Sequence, residues 1–232
     1  MSSGKIDIEI PFITPVRMPN GLQWYKDELF VMDQLTDDVF VLDVEGSVLR
    51  IVTTETENGS GITVGGGFIW TASNGSASAR PFRESDDHRS KILKIDPKTG
   101  CTLDYFLTPD GGGVHGLAWE DDKIWITAFN PRAIHLVDCV SYEIVKSFPC
   151  ELDVLHGLAL EDNGIWCSDR ANNLLVRFDK ENGNVTDQIR MPDDSGDPHG
   201  LTIRGNELWY SDADFPFAEG MRGYPEIGII NR

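Results

Sequence analysis

Three His-Gly-Leu triplets, beginning at His115, His156 and His199, each stand ten residues before a tryptophan: Trp125, Trp166 and Trp209. Histidine changes charge near neutral pH and serves as a general acid, general base or metal ligand. Three of them at one repeated position could move protons. They could offer three neutral imidazoles to a divalent transition metal with one coordination position open. They could also donate hydrogen bonds to a polar ligand. A structural reading competes, in which each histidine pairs with an acid thirteen residues on and ties its own repeat together. His156 would then pair with Asp169, His199 with Asp212, and Asn20 with Asp33. His115 meets Ala128 at that position, lacks an acidic partner and is the leading functional residue. His135 reads as structural and His88 as exposed.

The triplets belong to a longer repeat. The segments HGLAWEDDKIWITAFN, HGLALEDNGIWCSDRA and HGLTIRGNELWYSDAD align without gaps. Each reads as an apolar strand, a polar turn and an aromatic strand, the pattern of a β-hairpin. Two further copies place Asn20 and Ser60 ten residues before Phe30 and Trp70. A third strand follows in every copy and ends at Asp43, Asp96, Asp138, Asp179 or Asn231. A fourth follows in four copies. Repeats of four strands at this period specify the blades of a β-propeller. The expectation is an all-β chain, residues 1–232 forming one five-bladed propeller. The last blade lacks its fourth strand, and the N-terminal KIDIEIPFITP would supply it and remove an open edge.

In such a ring the first strand of each blade lines the centre. Asn20, Ser60, His115, His156 and His199 should share one mouth of a central channel with Asp33, Ser73, Ala128, Asp169 and Asp212. The catalytic assignment is His115, His156 and His199 with Asp33, Asp169 and Asp212; the metal assignment is the same three histidines. Substrate contacts are assigned to Asn20, Ser60, Asn74, Phe129 and Arg170. Two insertions, after Trp70 and after Trp209, leave the histidine face, and long loops on a rigid scaffold often carry specificity. They add Arg83, Phe215, Arg222 and Tyr224 to the substrate-binding set, and their arginines are expected to hold a substrate carboxylate.

The 232 residues carry a net charge of −18, which argues against a nucleic-acid partner, whose phosphates need Lys and Arg. No apolar run approaches the roughly twenty residues that span a bilayer, and MSSGKIDIEI has no apolar signal core. The expected setting is cytoplasmic, without a membrane partner or organic cofactor. Cys101, Cys139, Cys150 and Cys167 form no CxxC pair and read as small buried apolar residues.

The units PHGLTIRGNELWYSD and HGLALEDNGIWCSD resemble the repeats of the virginiamycin B lyase family, whose blades begin His-Gly-Ile and end Trp-Phe-Thr-Glu. More loosely, the chain looks like the gluconolactonase and senescence-marker propellers, and it shares a blade number with glutamine cyclotransferase propellers. The first resemblance implies lactone opening by elimination with a metal ion and an active-site histidine. The second implies metal-dependent lactone hydrolysis. Where the lyase repeat ends in Glu, this chain has Asp169, Asp212 or Ala128, and the lyase has seven blades. Only His115, His156 and His199 match the family's His-Gly position. The expected function is a lyase or hydrolase acting on a polar small molecule, metal-assisted or metal-free. The alternatives are a non-enzymatic binding propeller and a tri-histidine iron or copper oxidoreductase.

Overall fold

Each of the first four repeats folds as four antiparallel strands in sequence order. A computed structural model of the chain describes residues 6–76, 79–109, 111–213 and 224–232. After β1 (Asp7–Glu9), blade one is β2 (Pro19–Tyr25), β3 (Glu28–Asp33), β4 (Asp38–Leu42) and β5 (Val48–Thr53). Blade two is β6 (Gly59–Gly65), β7 (Phe68–Ser73), β8 (Lys91–Ile95) and β9 (Thr102–Leu107). Blade three is β10 (Leu117–Glu120), β11 (Lys123–Phe129), β12 (Arg132–Asp138) and β13 (Ile144–Pro149). Blade four is β14 (Leu155–Glu161), β15 (Gly164–Asp169), β16 (Leu174–Asp179) and β17 (Val185–Arg190). Blade five is β18 (Leu201–Arg204), β19 (Glu207–Asp212) and β20 (Glu226–Asn231), with β1 antiparallel to β20 as its outer strand. The N-terminal strand therefore closes the ring as expected.

The repeated residues each have a local reason. The strand-two tryptophans Trp70, Trp125, Trp166 and Trp209 are buried between blades. A buried indole still needs a partner for its N–H. Trp125 donates to Glu120, Trp166 to Glu161, Trp209 to Glu207 and Trp70 to the Gly65 carbonyl. The Asp that ends strand three caps the next turn. Asp43, Asp96, Asp138 and Asp179 each accept two backbone N–H groups from the residues two to four positions on. Such Asx turns fix the hairpin without help from the core.

Five apolar clusters, one per blade interface, form the core. Phe30, Met32 and Val41 pack on Ile62, Ile69 and Leu93 between blades one and two. Leu22, Trp24 and Leu29 pack on Trp209 and Ile227 where blade five meets blade one. Sheets buried on both faces in this way gain about 25 cal/mol for each Å² of apolar surface removed from water.

The glycine of each triplet is explained at the centre. A Cβ on Gly21 would lie 2.2 Å from the Ser60 carbonyl oxygen, and one on Gly61 2.9 Å from that of His115. Gly116 meets His156 O at 2.1 Å, Gly157 meets His199 O at 2.4 Å, and Gly200 meets Asn20 O at 2.9 Å. The cycle is complete: every inner strand presses its glycine against the backbone of the next. The sequence places the histidines at the mouth of a channel. At the glycine level neighbouring inner strands leave no room for a methyl group between them, which fixes the ring of side chains above at one end of the axis.

Candidate functional site

The register that closes the glycine cycle also puts Asn20, Ser60, His115, His156 and His199 side by side in one ring. The three histidines meet as a row. The His115 and His156 ring centroids lie 4.5 Å apart with planes at 43°, and those of His156 and His199 lie 4.8 Å apart at 76°. Phe129, at the end of β11, stands edge-on to His115 with centroids 5.3 Å apart. His156 and His199 are buried, and His115 is partly buried.

Burial strips water from these rings and disfavours their charged forms. It pushes His115 down to about 4, helped by the positive charge of Arg170. It pushes His199 down to about 3, again with Arg170 contributing and the Asp197 carbonyl opposing. His156, between two other imidazoles, is held well below its ordinary value by burial and by its neighbours His115, His199 and Arg170. The row is neutral at neutral pH. His115 Nδ1 and His156 Nδ1 are buried with no hydrogen-bond partner.

The aspartates divide. Asp169 accepts the Asp153 and Val154 amides at 3.1 Å and the Asn172 side chain at 2.8 Å, and not the His156 ring. Asp33 accepts the Met18 amide at 2.9 Å and the Thr36 hydroxyl at 3.0 Å, while Asn20 donates to Gln34 at 2.6 Å. Ser73 accepts the Glu57 amide in the same way at 3.0 Å. These residues fasten the loop that enters their own blade. They could not serve the Asn20–Asp33 and His156–Asp169 pairings because their oxygens satisfy backbone amides first. Asp212 alone meets its histidine, with Oδ1 3.6 Å from His199 Nδ1. The same Nδ1 lies 3.0 Å from the Asp197 carbonyl and 3.2 Å from the Ala213 amide.

The blade-two insertion is pinned to blade one. Arg80 is buried between Asp37 and Asp86, at 2.7 Å from each. Arg83 donates to the Thr54 and Thr36 carbonyls at 2.8 and 2.6 Å. Arg89 reaches Asp87 and the Tyr105 hydroxyl. Those three guanidiniums are engaged within the loop and with blade one. His88 is exposed as expected and sits 2.7 Å from Glu57. Phe215 and Arg222 lie outside the described residues. Tyr224 is exposed, His135 is buried in β12, and Cys101, expected to be buried, is exposed at the turn before β9.

Arg170, directly after β15, is the guanidinium whose field reaches all three imidazoles; its Nη2 is 3.6 Å from Asp197 Oδ2. On the other side of the cup Asn74 donates to Ser60 Oγ at 2.7 Å, and Ser60 donates to the Val114 carbonyl at 2.7 Å. Gln34 donates onward to Asn58 at 2.7 Å. Sequence reasoning missed Gln34, Asp197 and a set of hydroxyls. Thr127 accepts the His115 and Gly116 amides, Ser211 accepts the Gly200 amide, and Ser168 donates to the His199 carbonyl. The signal was present: the position two residues past the aromatic holds a hydroxyl only in the three histidine blades, against Met32 and Ala72 elsewhere.

Among the described residues no group of three or more His, Cys, Asp or Glu side chains is placed to hold a metal ion. The imidazoles pack tilted and edge-on against one another, and the residues present do not fit a tri-histidine centre.

Fold and site together define a five-bladed β-propeller with a histidine-lined cup at one end of its axis. No protein-family model and no curated protein sequence matches the chain. Solved structures do. Glutaminyl cyclase from Myxococcus xanthus superposes with a TM-score of 0.68 at 9% identity, covering 97% of this chain and 94% of that one. Virginiamycin B lyase from Staphylococcus aureus gives 0.53 at 18% identity over 89% and 67%. A luciferin-regenerating enzyme gives 0.57 at 10% identity over 98% and 95%. These likenesses establish the propeller fold. No helix of the described residues is long and apolar enough to cross a membrane.

Proposed function

We propose that the protein is an enzyme that opens a bond in a polar small molecule at this cup, by hydrolase or lyase chemistry, with His115 carrying the proton. One observation carries the reading. Three neutral imidazoles are held against one another while His115 Nδ1 and His156 Nδ1 stay buried without partners. Leaving a buried polar atom unsatisfied costs about 1–3 kcal/mol, which a fitting ligand returns. The names of the three similar structures, all enzymes, agree with this.

An imidazole held at about 4 is neutral at neutral pH. It can accept a proton as a reaction proceeds and, once protonated, return it as a strong acid to the leaving group in the same turnover, in hydrolysis and elimination alike.

The test is turnover of a panel of lactones and esters of polar acids, followed by proton release. His115→Gln should lower kcat/KM by about 10²–10⁴-fold, the usual worth of general acid–base catalysis, while His135→Gln leaves it near wild type. If His115→Ala, His156→Ala and His199→Ala all fold and retain full activity, the site is elsewhere.

A further inference from the structure

The blade-two insertion carries an imidazole that the histidine row does not use. His88 Nδ1 lies 2.7 Å from Glu57 Oε1, and the His88 backbone amide donates to Glu57 Oε2 at 3.0 Å. The two partners differ in exposure: the Glu57 side chain is 1% exposed and the His88 side chain 60%. An ordinary surface ion pair keeps both groups in water and contributes little. Here the acid is buried under the imidazole, where it is costly unless bonded.

The imidazole is held in place by its surroundings. His88 takes φ +58°, a left-handed conformation unfavourable for a residue with a side chain. Its backbone lies so close to Gly75 that a Cβ there would meet the His88 carbonyl oxygen at 2.8 Å, and Ser90 Oγ donates to the Asn74 carbonyl at 2.9 Å. Asn74 ties this unit to the ring. Its amide donates to the Glu57 carbonyl at 2.9 Å, and its side chain donates to Ser60 Oγ at 2.7 Å. The residues flanking His88, Asp87 and Arg89, turn to each other at 3.5 Å. The Phe82 ring, 69% exposed, stands 6.0 Å from that of His88.

A carboxylate only accepts hydrogen bonds. Facing Nδ1, it selects the tautomer with the proton on Nδ1 and the lone pair on Nε2. The two nitrogens lie on opposite edges of the ring, so Nε2 points away from Glu57. A buried acid that orients an exposed imidazole in this way prepares a general base.

We propose that Glu57 and His88 form a second proton-transfer dyad at the ring end of blade two, hydrolysing esters with an apolar or aromatic group that rests on Phe82. This dyad shares no residue with the histidine row. Nε2 takes a proton from water as the water oxygen bonds to the ester carbonyl carbon, and Glu57 steadies the imidazolium through Nδ1–H. The carbon–oxygen bond to the alcohol then breaks. Nε2 returns its proton to the departing alkoxide, which leaves a carboxylic acid and an alcohol.

The probe is phenyl acetate, turned over by the full chain. His88→Gln should lower kcat/KM by about 10²-fold or more, as loss of a general base does. Glu57→Gln keeps the shape and removes the charge, so kcat should fall with KM near wild type; Glu57→Asp takes its place if that variant fails to fold. Phe82→Ser should raise KM. A readout independent of turnover is the tautomer: proton–nitrogen NMR of the wild type at alkaline pH should find His88 protonated on Nδ1, whereas free histidine in water prefers Nε2–H. An Nε2–H tautomer overturns the dyad. So does a wild-type protein without esterase activity, or a His88→Gln protein as fast as wild type. If His88→Gln is inactive and His115→Gln active, the dyad stands and the row is not the site of this hydrolysis. If the reverse holds, the dyad fails and the assignment of His115 stands.

Discussion

The two sides of the cup stand on the same scaffold and use it differently. In blades one and two the ring positions hold Asn20 and Ser60: Asn20 donates to Gln34 and Gln34 to Asn58, while Asn74 donates to Ser60 and Ser60 to the Val114 carbonyl. In blades three to five the same positions hold imidazoles that face one another. Beneath both sides the backbone is alike: a glycine pressed on the next blade's carbonyl. A repeat thus fixes geometry once, and the single position above each glycine is free to vary in chemistry. The polar side uses its side-chain donors within the protein and leaves Asn20 Oδ1 and Asn74 Oδ1 without partners. The imidazole side is kept neutral by desolvation and keeps buried nitrogens in reserve.

If the backbone is truly common to both sides, Gly21→Ala and Gly116→Ala should be equally damaging, because their Cβ atoms would fall 2.2 and 2.1 Å from a neighbouring carbonyl oxygen. Each should cost more than about 3 kcal/mol in urea unfolding, since strands on both sides of the clash must shift. A large gap between the two variants would show that the halves differ in their scaffold as well.

Acid should separate the halves. His115 and His199 are held at about 4 and about 3, against 6.5 for an unperturbed imidazole. Between about 6.5 and those values the unfolded chain binds protons that the folded chain refuses. The stability from this side is full above pH about 6.5 and falls as the pH drops toward 4, by on the order of 3 kcal/mol for one such group. His199→Asn should flatten that decline, whereas Asn20→Ser, on the other side, should leave its slope unchanged. Thermal unfolding across this pH range reads both.

The loop-fastening aspartates should not discriminate. Asp33→Ala and Asp169→Ala each remove two backbone-amide acceptors and should each cost about 2 kcal/mol. If Asp169→Ala instead leaves stability intact and abolishes turnover, it acts in the chemistry and the division drawn here between the aspartates is wrong.

The repeat spacing carried blade number, strand order and N-terminal closure because each followed from a position-specific residue: the tryptophan seated between blades, the Asp capping the third-strand turn, the glycine at the axis. The same register placed the three histidines at one mouth, but spacing alone did not show that their rings would meet. Pairing was illegible. A spacing of thirteen brings His156 and Asp169 to one end of a blade, but it does not reveal that the Asp153 and Val154 amides lie closer. Nor could the sequence show that Arg80 and Arg83 would be spent on the insertion that carries them, since their partners Asp37, Thr36 and Thr54 lie in blade one. The hydroxyls Thr127, Ser168 and Ser211 were legible and overlooked.

The row of imidazoles stays neutral where ordinary histidines ionise. The direct measurement is an NMR pH titration of the Cε1–H signals, assigned through single His→Gln variants. His115 and His199 should keep their neutral shifts at pH 5 and titrate only near 4 and 3, and His156 should follow them. In Arg170→Gln all three should titrate at higher pH, because the cation that opposes their protonation is gone. Midpoints near 6.5 for the three histidines, unmoved by Arg170→Gln, would contradict the account.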